Sequence, residues 1–339
     1  MKKQFGFNLV ELMVAVAISA ALIMALTSSF SSVYGGLFFS NSKIDLQQGL
    51  RFSMNTIKRD LQNAGVFGSF SFHNQTAASA FNAIGAACPN EWCQYDLTTV
   101  GVRSFIAIPA NSGIVTVDTS EILRIQYGTA KTSQLNDISV MECPPNECID
   151  SMSFANSGAL NLNAVSYMLA SANHLYFLND IGIPNSAGGV LSFNNLVGAG
   201  YNIPIDLLVD GALSDPDQRS MQLLNLNTKY YYFGTCQGEN GLCVAVYNGA
   251  GNALSAPTLV SKVVTGLSIA YKVDITTGIN HTGNAAYRWC TTAQMGSSNC
   301  LWANVTATIV TLNGRSTVAS GDNSTFLTQT ITDTVGWLW

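Results

Sequence analysis

Met1-Lys2-Lys3-Gln4-Phe5-Gly6, then Phe7-Asn8-Leu9-Val10-Glu11, then an almost unbroken apolar run from Leu12 to Leu26, set the plan of this 339-residue chain. Between Phe7 and Leu26 the only ionisable side chain is Glu11. About 20 residues of helix, rising ~1.5 Å each, cross ~30 Å of hydrocarbon. Lys2 and Lys3 precede the run, and no basic residue follows before Lys43. The positive-inside bias therefore predicts an inner-membrane, single-pass anchor with a cytoplasmic N-terminus and the remaining chain in the periplasm.

Three readings of the segment compete. A cleaved secretory signal needs a small-residue site after a shorter apolar core, and Ser19-Ala20-Ala21 could serve, but Glu11 sits wrongly early in that core. A plain signal anchor tolerates the length yet gives no reason for a carboxylate one turn into hydrocarbon. Such a residue costs roughly 2.5–3.5 kcal/mol on insertion scales and is a functional candidate by default. The third reading explains both features: Gly6-Phe7-Asn8-Leu9-Val10-Glu11-Leu12-Met13-Val14-Ala15-Val16 resembles the type III leader and hydrophobic start of type IV pilins and type II secretion pseudopilins. The resemblance implies that a prepilin peptidase cuts between Gly6 and Phe7 and methylates the amine of Phe7. Glu11 then becomes the fifth residue of the mature chain, where its carboxylate can neutralise a neighbouring subunit's terminal amine. A buried charge is tolerable only when paired. The plainer alternative is a Glu11 that snorkels to the headgroups.

Charged residues are only 10% of the chain, which points away from a cytosolic enzyme and toward an extracytoplasmic β-rich protein. A formal net charge of −5 without a basic stripe gives nucleic acid binding no electrostatic support. The eight cysteines fall into four close pairs: Cys88 and Cys93, Cys143 and Cys148, Cys236 and Cys243, Cys290 and Cys300. In an oxidising compartment the even count suggests disulfides, with local pairing the simplest of many connectivities. Loops this short gain only ~2 kcal/mol each on the chain-entropy model, so the bridges would stiffen exposed loops. The rival reading is a four-thiolate zinc site built from two of the pairs.

Ser31-Ser32-Val33-Tyr34-Gly35-Gly36 reads as a place where the helix can bend or fray at the membrane's outer edge. Helical periodicity then returns: Leu50, Met54, Ile57, Leu61 and Ala64 form one apolar stripe, expected to pack on the protein's own sheet. Arg51, Lys58 and Arg59 lie off the stripe, Asp60 reads as a surface residue able to pair with a neighbour such as Lys58, and Gly65 and Gly68 end the helix. Beyond Phe70, short β-type runs at Ile106–Ile108, Ile114–Val117, Ile122–Tyr127, Tyr167–Leu169, Leu175–Leu178 and Val190–Phe193 are separated by turn residues. Residues 128–165 and 179–229 carry more loop signals and read as insertions. The layout is thus leader 1–6, transmembrane assembly segment 7–30, amphipathic helix 31–68 and β-rich globular head 69–339. The fold class is α+β: a long N-terminal helix packed on an antiparallel β-sheet head with extra β insertions, which is the pilin plan.

The resemblance narrows along the chain. Leu50-Arg51-Phe52, Ile57-Lys58-Arg59-Asp60-Leu61 and Ala64-Gly65-Val66-Phe67-Gly68 look like the helix-to-head junction of PilW-type minor pilins, with Val66 where an aromatic is more usual. Thr228-Lys229-Tyr230-Tyr231-Tyr232-Phe233, the run Leu259 to Tyr271 with Val273-Asp274, and Trp302 to Leu312 resemble that family's C-terminal strands. The family's basic Leu-Arg-Asn ending is replaced here by Gly336-Trp337-Leu338-Trp339. His73, His174 and His281 have no metal spacing, and no nucleophile elbow, P-loop or dinucleotide fingerprint occurs. Asp206, Asp210 and Asp215-Pro216-Asp217 lack the ladder of a calcium loop. The expectation is no enzyme, no cofactor and no metal. What the resemblance implies is a minor pilin that joins other minor pilins and the major pilin in a complex priming pilus assembly. It would be handled by the prepilin peptidase and the inner-membrane assembly platform and sit near the fibre tip, with a tip adhesin among its candidate partners. Twitching motility and extracellular exposure after assembly belong to the same expectation. The alternatives are a J-type minor pseudopilin of type II secretion and a pilin-anchored adhesin.

Overall fold

The computed structural model describes residues 8–67, 70–71, 80–83, 90–93, 95–96, 99, 101–117, 120–143, 146–154, 166–170, 175–179, 190–192, 222–249, 253–275, 286–317 and 326–336. One helix, α1 (Leu9–Gln62, 54 residues), dominates it. At ~1.5 Å per residue it is about 80 Å long. The expected weakness at residues 31–36 is not a break: the helix runs straight through Gly35-Gly36. It ends at Gln62, and Gly65, at φ 70°, then turns the chain away in the left-handed region that favours glycine.

The strands are β1 (Val66–Phe67), β2 (Phe70–Ser71), β3 (Ala80–Ala83), β4 (Val102–Phe105), β5 (Ile122–Cys143), β6 (Asn146–Phe154), β7 (Ser166–Ala170), β8 (Leu175–Asn179), β9 (Val190–Ser192), β10 (Gln222–Cys236), β11 (Glu239–Tyr247), β12 (Thr258–Ser261), β13 (Val264–Asp274), β14 (Tyr287–Thr291), β15 (Val305–Arg315) and β16 (Thr328–Gly336). Two sheets form the head, besides the small β1–β2 pair. The C-terminal sheet has the order β14-β13-β15-β16 and is antiparallel throughout. The larger sheet is built on the long strands β5 and β10. Near the helix, β10 lies between β5 and β11, with β4 and β12 beyond them. Farther along, the same two strands pair with β6 and β7, and β8, β3 and β9 extend the sheet.

Two expectations are corrected here. Residues 128–143, read as part of an insertion, continue β5, which pairs with β10 as far as Gln134 and with the returning hairpin strand β6 from Leu135, and residues 222–229, read the same way, begin β10. Ile106–Ile108 is not strand; the strand lies just before it, in β4, and of 114–117 only Thr116 bridges, to Gly234.

The expected stripe is the packed face of the helix. Leu46, Leu50, Met54, Ile57, Leu61 and Ala64 are buried against Leu267, Ile269 and Tyr271 of β13, Val310 and Leu312 of β15, Val335 of β16 and Tyr231 of β10. Gly314 lets the helix come close, because a Cβ there would lie 2.8 Å from a Leu50 methyl and 3.0 Å from one of Leu46. The triple Tyr230-Tyr231-Tyr232 shows the period-2 alternation of a strand. Tyr231 joins the helix-side core, while Tyr230 and Tyr232 join a second core with Trp92, Ile114, Ile122 and Tyr247 on the other face.

Candidate functional site

From Asn8 to Asp45 almost every residue of the chain is exposed, including Leu9, Val10, Leu12, Met13, Val16 and Ile23. Apolar side chains of this number have no partner in the head and need lipid or other helices around them. The helix is long and apolar enough to cross a membrane. Glu11 stands in its first turn, where the free N–H groups and the helix dipole favour a negative charge, and its own N–H donates to the Asn8 carbonyl (2.9 Å). Gly6 and Phe7, the expected cleavage and methylation positions, lie outside the described residues.

The other end of the helix is anchored by charge as well as by packing. Asp60 is 2% exposed, and its Oδ2 accepts from Lys229 Nζ (2.8 Å) and from the Tyr231 hydroxyl (2.5 Å). Lys229 and Tyr231 are two apart on β10, so their side chains leave the strand on one face and meet the last full turn of the helix together. Burial alone would lower the lysine's pKa, but the hydrogen bond and charge of Asp60 outweigh it and hold Lys229 above its ordinary value. Burial, reinforced by Asp60, also pushes the Tyr231 phenol up. The expected surface role of Asp60 is therefore corrected. Lys58 turns elsewhere, to Asp333 of β16 (2.8 Å), at a half-exposed site worth little.

The chain leaving the helix is stitched to β5. Gly65 N–H donates to the Gln126 carbonyl (3.0 Å), and Gln126 N–H donates to the Gly101 carbonyl (2.7 Å). Gly101, at φ 83°, packs so closely that a Cβ would lie 2.3 Å from the Gly65 nitrogen. Across the sheet, buried Arg124 donates to Asp96 (2.7 Å), as does Arg103 (2.6 Å), and Thr228 donates to the Trp92 carbonyl (2.8 Å), which fastens Trp92 and Asp96 onto the sheet's second face.

Cys236 is bridged to Cys243 and Cys290 to Cys300, each with Cα atoms 6.2 Å apart. The first bridge joins β10 to β11, and the second closes the loop that follows β14. Cys93 is disulfide-bonded as well. Cys88 and the side chains of Cys143 and Cys148 lie outside what the structure describes, and so do the three histidines, Asp206, Asp210, Asp215, Asp217 and Trp337–Trp339. Among the described residues no group of three His, Cys, Asp or Glu side chains could hold a metal ion.

An exposed apolar helix with one acid in its first turn invites comparison with known precursors. Residues 1–27 match the prokaryotic N-terminal methylation motif. The chain thus carries a type IV pilin-like prepilin signal, and the motif ties it to subunits of the pilin and pseudopilin kind. No curated protein and no solved structure matches it. The long apolar helix joined to sheets that are antiparallel apart from the β3–β8 pair is consistent with the α+β, type IV pilin-like fold.

The sequence reading missed the Asp60 anchor. Its partners lie 169 and 171 residues downstream, and the only local sign was an acid beside a purely apolar helix stripe.

Proposed function

We propose that this chain is a minor pilin of the type IV pilus, resembling the PilW type, and a structural subunit of the minor-pilin complex that primes assembly near the fibre tip. The observation that carries the reading is the division of one unbroken helix. Its first 37 residues (Leu9–Asp45) are almost all exposed, with Glu11 the only acid among the apolar side chains up to Leu26, and its last turns are locked into the head by the Leu46–Ala64 stripe and Asp60. The head domain, residues 69–339, is periplasmic before assembly and extracellular after it. Cleavage after Gly6 frees Phe7 for methylation, and Glu11 neutralises the amine of an adjacent subunit. Other minor pilins, the major pilin, the prepilin peptidase and the inner-membrane platform are its partners. Deletion followed by electron microscopy of surface pili tests this: pili should be lost or few, and normal piliation would overturn it. Impaired protein secretion with intact pili would instead mark a J-type pseudopilin.

One observation favours an additional display role. β5 and β10 carry further strands, β6 to β9, which pair with the far parts of those two strands and with one another and not with the C-terminal sheet. If this outer sheet serves an adhesin function, removing residues 135–221 should leave piliation intact and abolish attachment.

A further inference from the structure

The C-terminal sheet ends in two open edges, β14 and β16, with nothing paired beyond either among the described residues. We propose that these edges pair with each other between two copies of this chain: β16 of one copy adds to β14 of the next and makes one continuous antiparallel sheet. This goes beyond the pilus reading and does not depend on it.

Four antiparallel strands leave their two outermost members running in opposite directions. Copies related by translation therefore bring β16 and β14 together antiparallel, whereas β14 against β14 requires a two-fold rotation. The hydrogen-bond phase matches too. Ile275 N–H donates to the Ala286 carbonyl (3.0 Å), so Tyr287 and Trp289, one and three residues on, aim their main-chain groups at the open edge. Thr291 is already taken, its N–H by Gln294 (3.0 Å) and its carbonyl by Met295 (3.2 Å). On β16, Ser316 N–H donates to the Leu327 carbonyl (2.8 Å), which leaves Thr330, Thr332 and Thr334 facing outward along that edge, with the Thr334 N–H held meanwhile by the neighbouring Asp333 Oδ1 (2.8 Å).

Side chains choose the register. Arg288 is exposed, forms no ion pair among the described residues, and shares the helix-side face of the sheet with Asp333. Setting Arg288 opposite Asp333, where it joins Lys58 on that carboxylate, places Tyr287 opposite Thr334 and Trp289 opposite Thr332; Trp289–Thr332 becomes a hydrogen-bonded pair, and Tyr287–Thr334 does so as the Thr334 N–H turns from Asp333 Oδ1 to the Tyr287 carbonyl. Tyr287 and Trp289, about half exposed, then pack beside threonines on the outer face, a favourable cross-strand combination. Lys272 holds the Tyr287 ring in place, with its ammonium 3.9 Å from the ring centre. The Cys290–Cys300 bridge fixes the end of β14, so the edge is ordered before a partner arrives. An edge strand with two half-exposed aromatic side chains, and Arg288 its one charge, leaves unpaired main-chain groups as a template for another strand.

Disulfide trapping of the full chain in detergent tests the pairing. Tyr287→Cys and Thr334→Cys variants, purified separately, should cross-link when mixed, and neither should do so alone. A Trp289→Pro change added to the Tyr287→Cys chain removes a main-chain donor and should cut the yield at least tenfold, while any association through the apolar helices stays as it was. Arg288→Glu should weaken trapping similarly, and combining it with Asp333→Lys on the other copy should restore it. No cross-link on mixing, equal cross-linking within each single variant, or a yield indifferent to Trp289→Pro would each overturn the proposal.

Discussion

At the scale of single residues the most consequential group is the Asp60 carboxylate, an acid removed from water at the seam between helix and sheet. Its cost is offset only because Lys229 and Tyr231 both donate to it. Asp60→Ala leaves the ammonium of Lys229 mostly buried without its counter-charge, and we expect a loss of about 3–5 kcal/mol in urea unfolding. Asp60→Ala with Lys229→Met should recover much of that, since an apolar pair of similar volume removes the stranded charge. A double variant no more stable than the single one would show that the seam depends on packing alone. The pH dependence follows the same chemistry. Lys229 is raised in the folded state, so its contribution is complete below the ordinary lysine value of 10.5 and is lost as pH rises through the folded value. Burial also pushes Tyr232 up to about 12, against an ordinary 10. The unfolded chain releases that proton first, so stability falls as pH climbs from 10 toward 12. Tyrosinate absorbance should therefore complete its rise only as the near-ultraviolet circular dichroism collapses. Full ionisation with the dichroism intact would contradict the burial of these phenols.

Among elements, the helix was the most legible and the long strands the least. Leu50, Met54, Ile57, Leu61 and Ala64 were readable because an amphipathic helix repeats its buried positions every three or four residues. Residues 128–143 were not, since their Gly, Thr, Lys, Gln, Asn and Asp interrupt the apolar alternation of a half-buried strand, and β5 is defined there by its pairing with β10 and then by its hairpin with β6. Asp60 was illegible for a related reason: a local pattern cannot name a partner brought in by the sheet. The glycine pair misled in the other direction. Gly35 and Gly36 lie inside an unbroken helix, and a Cβ at either would meet nothing within 4 Å. Replacing either by Ala should stabilise that stretch by about 1 kcal/mol, visible as slower amide exchange across residues 31–39. Gly314 should behave oppositely. A side chain there drives into Leu46 and Leu50, so Gly314→Val should cost roughly 1–3 kcal/mol and loosen the helix from the sheet.

For the whole molecule, the helix serves two environments that ask for opposite surfaces. Its last turns bury a stripe in a head of their own chain, whereas its first turns present apolar side chains all round and leave one acid among them. Such a surface suits lipid and, in the proposed fibre, a bundle of similar helices, and the acid has a different meaning in each. In the bilayer Glu11 costs free energy, so a chain selected for anchoring alone would do better without it. In the proposed fibre, pairing that carboxylate with an amine freed at Phe7 would turn the cost into a preference for side-by-side docking at one axial offset. Glu11→Gln separates the two roles, because glutamine inserts at least as readily and cannot neutralise the amine. Fractionation should find the variant in the membrane at wild-type levels, with its leader removed, while its recovery in sheared surface fibres falls by tenfold or more. Equal recovery in fibres would mean that the acid does not guide assembly, and that the apolar helix surface suffices by itself.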